Sequence, residues 1–173
     1  MSSWTPYISE RYGFSIAYPV GWSAHPADGN WTFPDDTDWP DGMLRTDWFY
    51  VEPADNLGVA VSAWSVALEP GTSADEWFLE YCRVTTGPCD GIEGRAVTVR
   101  LDGHAGSLVP FTADIHAYFV IGDRIYIVAI WQGENFLTIQ PYGGARRLLE
   151  AFLSTVRLLP NRESPATSSP APS

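Results

Sequence analysis

The sequence predicts an α+β chain built on an antiparallel sheet that is covered on both faces. Three observations predict it. Two strand pairs meet at tight turns, Asp102-Gly103 and Gly122-Asp123, which are strong two-residue hairpin signals. The second hairpin is apolar on both faces, so neither face can be left in water. Residues 145–158 carry an amphipathic helical pattern that supplies one cover.

The elements follow in order. Residues 1–11 read as a lead-in, with Trp4 and Tyr7 laid over a sheet edge. In residues 12–22, Phe14, Ile16 and Tyr18 alternate with Ser15 and Ala17, the period of a half-buried strand. Pro19 lacks the N–H that a ladder needs and should end it. Gly21 allows a bend, after which Trp22 folds back. Residues 23–42 are polar and punctuated by Pro26, Pro34 and Pro40, with one short strand expected at Trp31-Thr32-Phe33. Further strands are expected at 47–52 and 57–66.

Ser73-Ala-Asp-Glu76 is a capping box that starts a helix. Trp77 with Tyr81, and Phe78 with Cys82, form i,i+4 pairs on one face. Gly87-Pro88 should end it. Strands 95–101 and 104–111 form the first hairpin, with Leu101 opposite His104. Strands 114–121 and 124–131 form the second, with Phe119 opposite Tyr126 and His116 opposite Ala129. Pro160 stops the last helix, and 161–173 is a Pro/Ser-rich tail of the kind expected to be disordered. Residues 12–160 are therefore expected to form a single domain.

Composition narrows the function. The 173 residues carry 21 acids against 10 bases, a formal net charge of −11. That charge argues against nucleic-acid and anionic-membrane partners, which are themselves negative. No apolar run reaches the roughly 20 residues of a membrane span. Every base is Arg, a usage typical of GC-rich bacterial coding. No basic and apolar leader pattern opens the chain. It reads as soluble and cytoplasmic as written, with an extracytoplasmic location open if a leader has been removed.

Cys82 and Cys89 are the only cysteines, with six residues between them. Two reduced thiols go with a reducing compartment; a bridge closing a small loop goes with an oxidising one.

The spacing Gly13-Phe14-x4-Pro19-x2-Trp22 resembles the opening of PsbP-like domains, the fold of the photosystem II extrinsic accessory protein and its bacterial relatives. The resemblance implies an α/β/α sandwich with a central antiparallel sheet. It implies a binding or accessory module with a protein or small ligand as partner, and no catalytic activity. No metal-binding or partner-binding residue of that family matches here position by position, so none is carried over. The acidic segment 23–56 and the cysteine pair fall outside the pattern.

Four groups of residues carry candidate chemistry. His25, His104 and His116 are isolated in sequence and read as hydrogen-bonded core or rim histidines; an enzyme built around His104 or His116 is the competing reading. Asp36, Asp38 and Asp41 lie in an acidic loop that resembles a calcium loop, but its register departs from an EF-hand. The next ligand position is Pro40, Gly42 comes one residue late, and Asp47 stands where a bidentate Glu belongs. The loop reads as solvated, against an oxygen-ligand cation site. Trp39 is the tryptophan expected to be exposed. With its neighbours in 30–48 it offers a stacking surface, so cation or carbohydrate binding by this segment is the alternative function. Arg146 and Arg147 follow Gly143-Gly144 at a helix start, where Arg opposes the helix dipole. They offer an anion site, or one of them pairs with a nearby acid. No cofactor motif is legible.

Overall fold

A computed structural model describes residues 3–37, 41–51, 59–85, 96–111, 114–132 and 143–160. In chain order the elements are β1 (Trp4–Ser9), β2 (Phe14–Pro19), β3 (Trp22–His25), α1 (Asp41–Leu44), β4 (Asp47–Val51) and β5 (Val59–Ala67). They continue with α2 (Ala74–Thr85), β6 (Val97–Leu101), β7 (His104–Pro110), β8 (Asp114–Ile121), β9 (Arg124–Gln132), α3 (Ala145–Thr155) and β10 (Arg157–Leu158). Seven strands form one antiparallel sheet in the order β3-β4-β5-β9-β8-β7-β6, and β1-β2-β10 form a second, smaller one.

The large sheet is held by its middle. β9 pairs with β5 from Val59↔Gln132 to Ala67↔Arg124, and with β8 from Asp114↔Trp131 to Ile121↔Arg124. Both hairpins adopt the register set by their turns, with Leu101 opposite His104 and Phe119 opposite Tyr126. Side chains alternate between faces, so Trp64, Ile127 and Tyr118 share one face and Ala63, Val128 and Ala117 the other. All six but the half-buried Tyr118 are buried.

Each face has its own cover. Helix α2 lies over the Trp64 face, with Phe78 stacked on Tyr118 at 4.0 Å between ring centroids. Its capping box forms as the sequence predicts: Ser73 N–H donates to Glu76 Oε2 at 2.8 Å, and Glu76 N–H donates to Ser73 Oγ at 3.2 Å. Helix α3 and the small sheet cover the opposite face. Phe49 of β4 meets Tyr7 of β1, Tyr18 of β2 and Phe152 of α3, all within 6 Å. Trp4 and Trp22 close over Phe152, at 5.1 and 5.7 Å.

Three local expectations change. The lead-in contains β1, because Trp4 to Ser9 find ladder partners in Pro19 to Phe14. Trp31 to Phe33 make no strand; Trp31 is instead buried among aromatic rings. The last helix ends at Thr155, not 158. The Thr155 hydroxyl is tied to β2, where it accepts the Ala17 N–H at 3.0 Å, and Val156 turns extended. Arg157 and Leu158 then pair with Ser15 and Phe14. The tail 161–173 lies outside the described residues.

Phe152 is fully buried at the junction of both sheets. Phe152→Ala should cost about 3–5 kcal/mol. At about 2–4 °C per kcal/mol for a chain of this size, a thermal melt should show a Tm lower by about 6–20 °C.

Candidate ligand cleft

A cleft of about 170 Å³ opens on the Trp64 face, between the sheet, α2 and the segment 31–46. Its walls include Trp31, Trp64, Trp131 and Tyr81, with the carboxylate residues Asp36 and Asp114. The sheet supplies Trp64 and Trp131 because residues two apart on a strand share a face. Helix α2 supplies Tyr81, stacked on Trp77 at 5.2 Å.

Outside α1, the described parts of the 31–46 wall are irregular and are held by specific hydrogen bonds. Tyr12, at the β1–β2 turn, is the main tether. Its hydroxyl accepts the Trp31 N–H at 3.0 Å and bonds to the carbonyls of Gly29 and Arg45. Its carbonyl accepts the Ser65 hydroxyl at 2.8 Å, which ties the turn to β5. Trp31 Nε1–H donates to the Asp36 carbonyl at 2.9 Å. Gly42 passes against that same carbonyl: a Cβ there would sit 1.9 Å from the oxygen, so only glycine fits. On the other side of the sheet Asp47 Oδ1 accepts from Tyr7 Oη and from the Ala27 N–H, both at 2.9 Å.

Behind the cleft runs a buried polar chain. His116 is fully buried, and its Nε2 lies 2.6 Å from Asp114 Oδ2. A carboxylate only accepts, so Nε2–H donates to it, while Nδ1 is hydrogen-bonded to Tyr81 Oη at 3.2 Å. Burial, reinforced by Asp114, pushes the Tyr81 phenol far above its ordinary range. Trp131 Nε1–H donates to Ser62 Oγ at 3.1 Å. Trp64 Nε1–H is buried and has no partner among the described residues.

The residues singled out by sequence are scattered. Asp36 has its Oδ2 committed to the Thr32 N–H and hydroxyl, each at 2.7 Å. Asp41 opens the one-turn α1, and Asp38 and Trp39 lie outside the described residues. Among the described residues no three His, Cys, Asp or Glu side chains are placed to hold a metal. Arg146 pairs with Glu150 at 2.9 Å, and Arg147 is exposed beside Gly143. His25 and His104 are exposed. Cys82 is fully buried and disulfide-bonded, so the reduced-thiol reading does not describe it; Cys89 lies outside the described residues. Sequence reading missed Asp114, Tyr81 and Tyr12. Asp114 and His116 were legible as an i,i+2 pair on one strand face; Tyr81 was legible only as the i,i+4 partner of Trp77, and Tyr12 carried no signal beyond being aromatic.

Burial raises the Tyr12 phenol from 10 to about 12, offset in part by the bond from Trp31. A phenol raised on folding stabilises the protein fully below pH 10, and that contribution is lost as pH rises through about 12. Alkaline denaturation should therefore steepen above pH 10, and Tyr12→Phe should flatten that limb while lowering stability at pH 7 by about 1–3 kcal/mol. Reductant should lower Tm at neutral pH, by the equivalent of about 2–4 kcal/mol for one disulfide.

No known family model matches the sequence, and no curated protein is similar to it. Similarity appears in three dimensions. The solution structure of cyanobacterial PsbP (CyanoP) from Synechocystis sp. PCC 6803 superposes with a TM-score of 0.55 at 11% identity, over 91% of this chain and 94% of that one. A crystal structure from Bacteroides thetaiotaomicron VPI-5482 superposes with a TM-score of 0.50 at 14% identity, over 88% of this chain and 47% of that longer one. At such identities the likeness is one of fold, and the fold of this chain is PsbP-like.

Proposed function

We propose that this chain is a non-catalytic PsbP-like binding domain of the accessory kind, whose cleft takes a small hydroxyl-rich ligand of the sugar class. The observation that carries the reading is the buried Trp64 N–H, without a partner among the described residues, on a cleft walled by aromatic rings and acids. A sugar offers C–H faces to aromatic rings, and hydroxyls that both accept from an indole N–H and donate to a carboxylate. A metal cation would satisfy the carboxylates and leave the N–H unpaired. The cleft is walled by the Trp-bearing acidic segment, so accessory and carbohydrate-binding roles fall on one site. The disulfide at Cys82 supports work in an oxidising, extracytoplasmic compartment.

The Asp114–His116–Tyr81 chain supports a competing enzyme reading, since it puts an acid and a phenol within reach of His116. Three features weigh against it. The imidazole is fully buried, both ring nitrogens are engaged, and the raised phenol is no nucleophile near neutral pH. The chain instead fixes the Tyr81 ring on the cleft wall.

Titration with a panel of mono- and disaccharides, read by tryptophan fluorescence and Tm, tests the proposal. One sugar should give a saturable change, and at ten times its Kd stabilise the protein by about 1.4 kcal/mol. Trp64→Phe, which keeps a ring and removes the N–H, should weaken it about tenfold, an effect of one hydrogen bond. A folded protein that answers no sugar would sink the reading.

A further inference from the structure

A second groove, of about 310 Å³, lies on the opposite side of the sheet, at the β1–β2 turn and the start of β9. Two of its walls are Arg11 and Arg124. The chain carries two acids for each base, yet only some of the described arginines are paired with one. Arg45, Arg83, Arg146 and Arg157 each lie within 4 Å of a carboxylate. Arg11 and Arg124 bond only neutral groups among the described residues. Arg11 Nη1 donates to Asn30 Oδ1 at 2.9 Å. Arg124 Nε and Nη2 donate to the Ser65 hydroxyl at 3.3 and 3.0 Å.

The second contact is an orienting one. Ser65 is 2% exposed and is itself anchored by donating to the Tyr12 carbonyl, so it holds one edge of the guanidinium and leaves Arg124 Nη1 with no partner among the described residues. Tyr126, two residues on along β9, shares the Arg124 face and also lines the groove. Its hydroxyl bonds no described residue. Burial raises its phenol, so it stays a donor at neutral pH. Glu10 stands at the rim and is exposed, and no ion pair among the described residues joins it to either arginine.

We propose that Arg11, Arg124 and the Tyr126 hydroxyl form an oxyanion-binding groove that takes the carboxylate or phosphate group of a small ligand. The site converges three donor groups, two of them charged, with one guanidinium already oriented. Such charge-assisted, fork-shaped donors match the paired oxygens of a carboxylate or phosphate. The groove exceeds the size of a bare ion, so room remains beside Leu159 and Pro160 for the rest of the molecule.

The test titrates the full chain with inorganic phosphate and, separately, with succinate, holding ionic strength constant with sodium chloride. The readout is the arginine Nε–H resonances in proton–nitrogen NMR. Saturable shifts of the Arg11 and Arg124 resonances with either anion are expected. Phosphate alone would identify a phosphoryl ligand, and succinate alone a carboxylate. Arg11→Gln keeps a partner for Asn30 and should weaken binding about tenfold, the scale of one charge-assisted bond. Tyr126→Phe should weaken it severalfold with the ring packing intact. Arg124 is left unchanged because it also holds Ser65. No saturable shift with either anion, shifts reproduced by sodium chloride, or shifts indifferent to both variants would overturn the proposal.

Discussion

The constraint on which the structure depends is the two-sided burial of β9. Ile125, Ile127 and Ala129 point to one face and Val128 and Ile130 to the other, and all are nearly or fully buried. A strand of this kind must lie inside a sheet, with apolar cover above and below. That requirement explains the rest of the architecture. β5 and β8 flank it, α2 covers one face, and α3 with the small sheet covers the other. The burial of apolar area on both faces supplies the driving force. The polar groups trapped in the process must then find partners, and where they do, candidate chemistry appears.

The cover on the Trp64 face is a helix and an irregular segment, and the irregular part needs its own fastening. Tyr12 provides most of it. A single buried phenol engages Trp31, Gly29 and Arg45, while its carbonyl reaches Ser65. Ser65 also orients Arg124 on the other side of the sheet. The two candidate sites therefore share one anchor. Their chemistry differs because their walls do. Aromatic rings and acids line the cleft, and guanidinium groups line the groove.

Hairpins and capped helices were legible because their determinants are local. Asp102-Gly103 and Gly122-Asp123 set register within two residues of the turn, and Ser73 with Glu76 closes its box within one helical turn. The need for two covering layers was legible too, since alternation on 114–131 left no polar face. The Gly13-Phe14, Pro19 and Trp22 spacing carried a fold resemblance that superposition supports. Less was legible of the sites. Asp36 looked like a metal ligand in sequence and closes its own turn on Thr32 in the fold. Arg146 looked free to hold an anion and is taken by Glu150, one helical turn on.

By itself, then, the sequence determined the strands and registers of the two hairpins, the starts of α2 and α3, and the acidic balance of charge. These depend on short-range backbone preference, periodicity and composition. Only the tertiary structure decided that residues 4–9 pair with 14–19, that the last helix stops at Thr155, and that Tyr81 meets His116 across 35 positions. Only it decided that Arg11 and Arg124 line one groove. Such contacts join residues far apart in the chain. Their partners are selected by which polar groups the closing layers trap together, and no local pattern records that choice.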